Sequence, residues 1–174
     1  MMPFNKYLFA CLISLFATAA HADVIEAGPD HFVLRQEATS RLSPSELWSR
    51  LTNPASWWHP DHTYSGSAAN LSLDVQAGGL WKEEWEGGSV THGEVIFVNP
   101  GVQIRLDAPF GPLQAIGAKT IWTITISAEG DGSKVVFDEI SHGVSSSKLD
   151  ELAPAVDFVK TEAIRRLTTV EEVC

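Results

Sequence analysis

The residues with the chemistry to form a site are concentrated in two stretches. In the first, Gly87-Gly88 suits a tight turn that needs positive φ. Centred there, the turn pairs Glu86 with Ser89, and hence Trp85 with Val90, Glu83 with His92 and Trp81 with Glu94. The side chains of the last three pairs then share one face, with Glu83 between two tryptophans and opposite a histidine. Apolar walls raise a carboxyl pKa and an imidazolium lowers it, so the net direction stays open at this point. Two roles fit. Glu83 and His92 form an acid/base or ligand-orienting pair inside a cavity, or they form a cross-strand ion pair on the solvent side, with the indoles covering one another.

The second stretch is His59-Pro60-Asp61-His62, three potential metal ligands directly after Trp57-Trp58. The spacing matches no closed zinc pattern, Pro60 stiffens the segment and no cysteine assists. The expectation is therefore a loop whose aromatic residues plug the mouth of the domain, with no metal and no cofactor. There is no Gly-x-Ser-x-Gly and no Walker-type phosphate loop, so hydrolase and NTPase readings lack their parts.

With 174 residues, 44% hydrophobic and 20% charged, the chain suits one globular domain. A net charge of -10, unbroken by any Lys/Arg cluster, argues against nucleic acid and against anionic membrane surfaces. Residues 1–22 read as a signal peptide, with Lys6 in the n-region, an apolar run from Tyr7 to Phe16, and Ala20-His21-Ala22 as a small-x-small cleavage site before Asp23. The expected location is periplasmic or secreted, with no membrane span after cleavage. Cleavage also removes Cys11 and leaves Cys174 alone, so no intramolecular disulfide can form.

These residues must be positioned by the elements that follow. Residues 23–30 are expected to be a linker, and His31 to Arg41 a strand. Ser43-Pro44-Ser45-Glu46 is a capping box opening a short helix, and Asn53-Pro54 repeats the start signal for a second. Six strands separated by turns follow from Asn70 to Ser141, and Val102, Ile104 and Leu106 share one face of the fourth. Last comes a long helix at 152–173, with Leu152, Val156, Val159, Ala163, Leu167 and Val170 as its apolar stripe and Asp157, Thr161, Glu162, Arg165 and Glu172 on its opposite side. Short connections imply an antiparallel meander that packs against this helix.

This order, together with His62-Thr63-Tyr64-Ser65-Gly66, Asn70-Leu71-Ser72-Leu73, Ala77-Gly78-Gly79, Gly111-Pro112-Leu113-Gln114 and Leu152-Ala153-Pro154-Ala155-Val156-Asp157, resembles the START/Bet v 1-like (SRPBCC) superfamily. Within it the likeness is to the polyketide cyclase/dehydrase and lipid-transport group and its Hsp90-ATPase-activator-like neighbours, in secreted bacterial members. The resemblance covers residues 31–172. It implies an α+β helix-grip fold, a curved antiparallel sheet of about seven strands wrapped around a long C-terminal helix, and a cavity between helix and sheet for an apolar or amphipathic molecule. The leading expectation is a binding protein for a small hydrophobic ligand, aromatic or lipid-like, with Trp57, Trp58, Trp81, Trp85, Phe97 and Trp122 as the cavity wall. The alternatives are a cyclase- or dehydratase-like enzyme using Glu83 and His92, and a co-chaperone-like interaction protein, which an exported chain would serve poorly.

Overall fold

The computed structural model describes residues 21–169. In chain order its elements are β1 (His21–Gly28), β2 (His31–Ser40), α1 (Pro44–Leu51), β3 (Leu71–Leu73), β4 (Leu80–Trp85), β5 (Gly88–Asn99), β6 (Gln103–Asp107), the single turn α2 (Pro112–Ala115), β7 (Lys119–Glu129), β8 (Gly132–His142) and α3 (Leu149–Thr168). The strands form one antiparallel sheet in the order β1-β2-β8-β7-β6-β5-β4-β3. The meander from β3 to β8 is thus completed by β8 pairing with β2, and α3 lies against β2, β1 and β8. This is the expected α+β helix-grip arrangement, with eight strands rather than about seven.

The additional strand is β1, in the segment expected to be a linker. As an edge strand it leaves Val24 and Ile25 exposed, and a bulge between Val24 and Glu26 interrupts its pairing with β2. No buried alternation therefore marks it in the sequence. Most of the expected signal peptide lies outside the described residues; its last two residues, His21 and Ala22, pair with Glu37 and Gln36.

The capping box forms as expected. Ser43 accepts the Glu46 backbone N–H and Glu46 accepts that of Ser43, and the helix they open buries Leu47 and Leu51. The second expected helix is replaced by 3-10 turns at Pro54–Ser56 and Pro60–His62. Each proline starts a turn, and Pro60 disfavours helical backbone at His59. Val102 also departs from expectation: its N–H closes a turn onto Asn99, and its side chain is exposed while Ile104 and Leu106 are buried.

α3 begins before the expected helix and presents a rotated face. Its buried residues are Leu149, Ala153, Lys160, Ala163, Ile164, Leu167 and Thr168. Leu152, Val156 and Val159 flank that line half-buried, and Val170 lies outside the described residues. The expected stripe thus shares Ala163 and Leu167 with the true one but misses its centre, which contains a lysine. Beneath α3 the core is built from Trp57, Trp81, Trp122, Ile104, Leu106, Phe137, Ile164 and Leu167.

Candidate ligand cavity and its polar groups

The β4–β5 hairpin turns one residue earlier than the sequence suggested. Trp85 pairs with Gly88, leaving Glu86 and Gly87 as the loop, with Gly87 at φ 88°. Gly88 is needed beneath an indole, since a Cβ there would come 2.6 Å from Trp85 Cζ2. In this register Glu83 pairs with Val90, not His92. A bulge brings the two side chains together. Lys82 pairs with Thr91 and Trp81 with Gly93, so His92 is the extra residue, and His92 and Gly93 both turn inward. Glycine suits the second position, because a Cβ on Gly93 would lie 2.4 Å from Ala108 Cβ. The same bulge turns Glu94 outward, away from the face it was expected to share.

His92 Nε2 lies 3.0 Å from Glu83 Oε2, and both side chains are buried, so the pair faces the interior. The same carboxylate accepts the backbone N–H of Tyr64 at 3.0 Å and of Ser65 at 2.5 Å. Burial is the largest single effect on Glu83 and raises its pKa. The side chain of Ser65, the two backbone N–H groups and His92 together outweigh it, so the carboxyl titrates below its ordinary 4.5. For His92, burial outweighs the pull of Glu83 and lowers the imidazole below its ordinary 6.5. At neutral pH the pair is therefore a carboxylate and a neutral imidazole. Since Glu83 can only accept, the hydrogen-bond network puts the His92 proton on Nε2 and leaves Nδ1 as an acceptor with no hydrogen bond among the described residues. Three donors thus converge on the Glu83 carboxylate. It fixes the His92 tautomer and pins the Tyr64–Ser65 backbone.

His92 forms part of the wall of a cavity of about 310 Å³. The wall comes from α3 (Leu152, Ala155, Val156, Val159, Lys160), from the segment after α1 (Trp58, His62, Thr63, Tyr64), from Phe110 to Leu113, and from Glu139 on β8. Most of it is apolar, and a buried ion pair interrupts it. Lys160 Nζ lies 2.9 Å from Glu139 Oε2, off the line a hydrogen bond requires, and neither atom has another hydrogen-bond partner. Nζ also stands 3.1 Å from the centroid of the Trp122 ring and 4.9 Å from that of Phe110. Burial, opposed by the Glu139 charge, holds the amine below its ordinary 10.5.

Neither member of this second pair was among the expected site residues, although both had a sequence signal. Ser133, Val135, Phe137, Glu139 and Ser141 are the inward positions of β8, so Glu139 falls in an otherwise small or apolar register. Lys160 stands four residues after Val156 and four before Ile164, inside the helical stripe.

Of the expected aromatic wall, Trp58 lines the cavity. Trp57, Trp81 and Trp122 are buried behind it as core: Trp57 meets Trp81 edge-on at 5.9 Å, Trp81 stacks on Trp122 at 5.8 Å, and Trp122 meets Phe137 edge-on at 4.9 Å. Trp85 covers Gly88 at the hairpin tip. Phe97 is exposed and has Arg105 over its ring, because a second bulge at Ile96 turns both Ile96 and Phe97 outward. Phe110, which the sequence reading omitted, stacks on both Trp58 and His92.

The histidine loop docks on α3. Glu162 Oε2 lies 2.9 Å from His62 Nε2, and Glu162 Oε1 lies 3.6 Å from His59 Nε2. His59, His62 and Glu162 bring their potential ligand atoms within 4.8 Å of one another. However, His59 Nδ1 accepts the Asp61 N–H at 3.1 Å, which places the ring proton on Nε2 and presents an N–H to Glu162. A cation could use the trio only after His59 released that turn. As built, a carboxylate between two imidazoles ties the loop to the helix, while Asp61 projects into solvent.

No family model and no curated protein matches the chain. Solved structures do. It is similar to a protein of Mycobacterium smegmatis (TM-score 0.58, 14% identity, 87% of this chain and 96% of that one). It is also similar to a protein of Rhodobacter sphaeroides (TM-score 0.56, 17% identity, 85% and 96%) and to Ara h 8.0201 (TM-score 0.54, 14% identity, 79% and 95%). At these identities the likeness is one of fold. The fold is Bet v 1-like.

Proposed function

We propose that this chain binds a small apolar or amphipathic molecule, aromatic or lipid-like, in the cavity between α3 and the sheet. The observation that carries this reading is a mostly apolar space of about 310 Å³, at the lower end of ordinary small-molecule sites, with a few inward polar groups on its wall. His92 Nδ1 offers an acceptor to a ligand hydroxyl, and Lys160 offers donors to an oxygen. The sequence of residues 1–22 supports an exported location, periplasmic or secreted, which N-terminal sequencing of the chain from its own host would test at Ala22-Asp23. For the cavity, titration with 1-naphthol should give saturable quenching of tryptophan emission. Trp58→Phe should reduce the signal, and Ala155→Trp, which fills the space, should abolish binding. Equal, linear quenching in all three proteins would refute the reading.

A second reading has one observation in its favour. A neutral His92 with Glu83 behind Nε2 and a free Nδ1 is arranged as a general base, which suits a dehydratase- or cyclase-like proton transfer on a bound carbonyl compound. Turnover of such a compound that vanishes in His92→Gln while ligand binding persists would favour this reading over binding alone.

A further inference from the structure

We propose that Lys160 captures the carbonyl group of an aromatic or lipid-like aldehyde or ketone as an imine, with Glu139 as its proton partner. The inference rests on the cavity being a small-molecule site, and deepens that reading by naming the reacting group. A buried lysine kept for structure alone is ordinarily enclosed by hydrogen bonds, because each donor left unpartnered in the interior costs stability. The Lys160 ammonium has three donors and, among the described residues, one polar neighbour to meet them. Its one polar neighbour, Glu139 Oε2, stands off axis at 2.9 Å and is itself without a hydrogen bond, while the Trp122 ring lies beneath. Both residues belong to the wall of the cavity. Desolvation lowers the pKa of the amine, which favours the free base that attacks a carbonyl, and an apolar surround is a recognised way to make a lysine nucleophilic.

The chemistry closes on these two groups. Glu139 takes a proton from the ammonium, and the free Nζ attacks the carbonyl carbon. The C=O π pair moves onto oxygen, which picks up a proton from the new ammonium. Glu139 then returns its proton to the resulting hydroxyl, which leaves as water as the C=N bond forms. Lysine ammonium and aldehyde become protonated imine and water, so the charge opposite Glu139 is unchanged. No oxidant or cofactor is required.

The test uses the whole chain with 2-naphthaldehyde and cyanoborohydride, which reduces the imine and fixes it in place, followed by peptide mapping. The expected result is one naphthylmethyl group per chain on Lys160, formed about tenfold or more faster than on the exposed Lys119 and Lys148 at neutral pH. Lys160→Arg should lose that adduct and leave surface labelling unchanged. 2-Methylnaphthalene, followed by tryptophan quenching, serves as the carbonyl-free control. If it binds and Lys160 is not preferentially labelled, imine capture is wrong and the cavity reading stands. If neither probe binds, both fall.

Discussion

Replacing Glu83 tests whether this carboxylate is a pin or only a charge near a cavity. Three donors converge on it: the N–H groups of Tyr64 and Ser65, and Nε2–H of His92. In Glu83→Gln one oxygen becomes an NH2 group. Whichever way the amide turns, that group meets at least one of the three donors. Leaving one buried donor unpartnered costs about 1–3 kcal/mol, and weakening the remaining charge-assisted bonds brings the total to about 2–4 kcal/mol. At roughly 2–4 °C per kcal/mol for a domain of this size, the midpoint of thermal unfolding should fall by about 5–15 °C. The pH profile carries a second signature. Both pKa values are lowered on folding, so wild-type stability is complete above about 6.5 and declines as pH falls, first through His92 and then, below 4.5, through Glu83. In the variant the Glu83 part disappears. The His92 part grows, because burial then acts on the imidazole without the opposing carboxylate. Urea unfolding across pH 4 to 8 measures both. A variant within about 0.5 kcal/mol of wild type, with the same acid profile, would refute the reasoning.

Other perturbations read other parts of the fold. Lys160→Met alone should destabilise by about 3–5 kcal/mol by leaving Glu139 buried and unpaired, whereas the double change with Glu139→Leu should recover most of that loss; additivity in the cycle would contradict a coupled pair. Gly93→Ala should cost about 1–3 kcal/mol in urea unfolding, since the new Cβ would overlap Ala108. Leu167→Ala, at a fully buried position, should cost about 2–5 kcal/mol, while Phe158→Ala, at 66% exposure on the same helix, should stay within about 0.5 kcal/mol; similar values for both would mean the buried face of α3 is misplaced.

Alternation and capping made most of the fold legible in the sequence. The inward register of β8 and the capping box of α1 depend on local rules, and those held. The failures share a physical origin in single-residue shifts. A turn at Glu86-Gly87 rather than Gly87-Gly88 moves every pair of the hairpin, and only the bulge at His92 restores the Glu83–His92 contact, by a route the pairing rule does not contain. Gly93 was the available clue, because a glycine inside a strand often marks a bulge. The bulge at Ile96 left no such mark, and it turns Phe97 outward from the wall to which it was expected to belong. On α3 a stripe built only from apolar residues passed over Lys160. Tryptophans on strands that flank a cavity can fill either the wall or the core: Trp57, Trp81 and Trp122 pack as core behind the wall, Trp85 covers the hairpin tip, and Trp58 alone of the expected set lines the cavity.

The two buried polar pairs differ in how completely they are bonded, and that difference bears on what each is for. Glu83–His92 spends the carboxylate on three donors, so its desolvation is offset and its protons are fixed; such a pair sets geometry. Lys160–Glu139 leaves Nζ and Oε2 short of polar partners at the cavity wall, with one ion pair and the Trp122 ring set against the cost of burial. Apolar side chains of similar volume at 139 and 160 would fill the same space with little loss of stability. On the proposed reading, the missing partner is supplied by the ligand: an oxygen brought to Nζ would satisfy a donor already withdrawn from bulk solvent. The cavity should therefore discriminate by the polar end of a ligand more sharply than by its hydrocarbon. Between 2-methylnaphthalene and 2-naphthaldehyde, nearly equal in apolar surface, the larger change in affinity on Lys160→Arg should fall on the aldehyde.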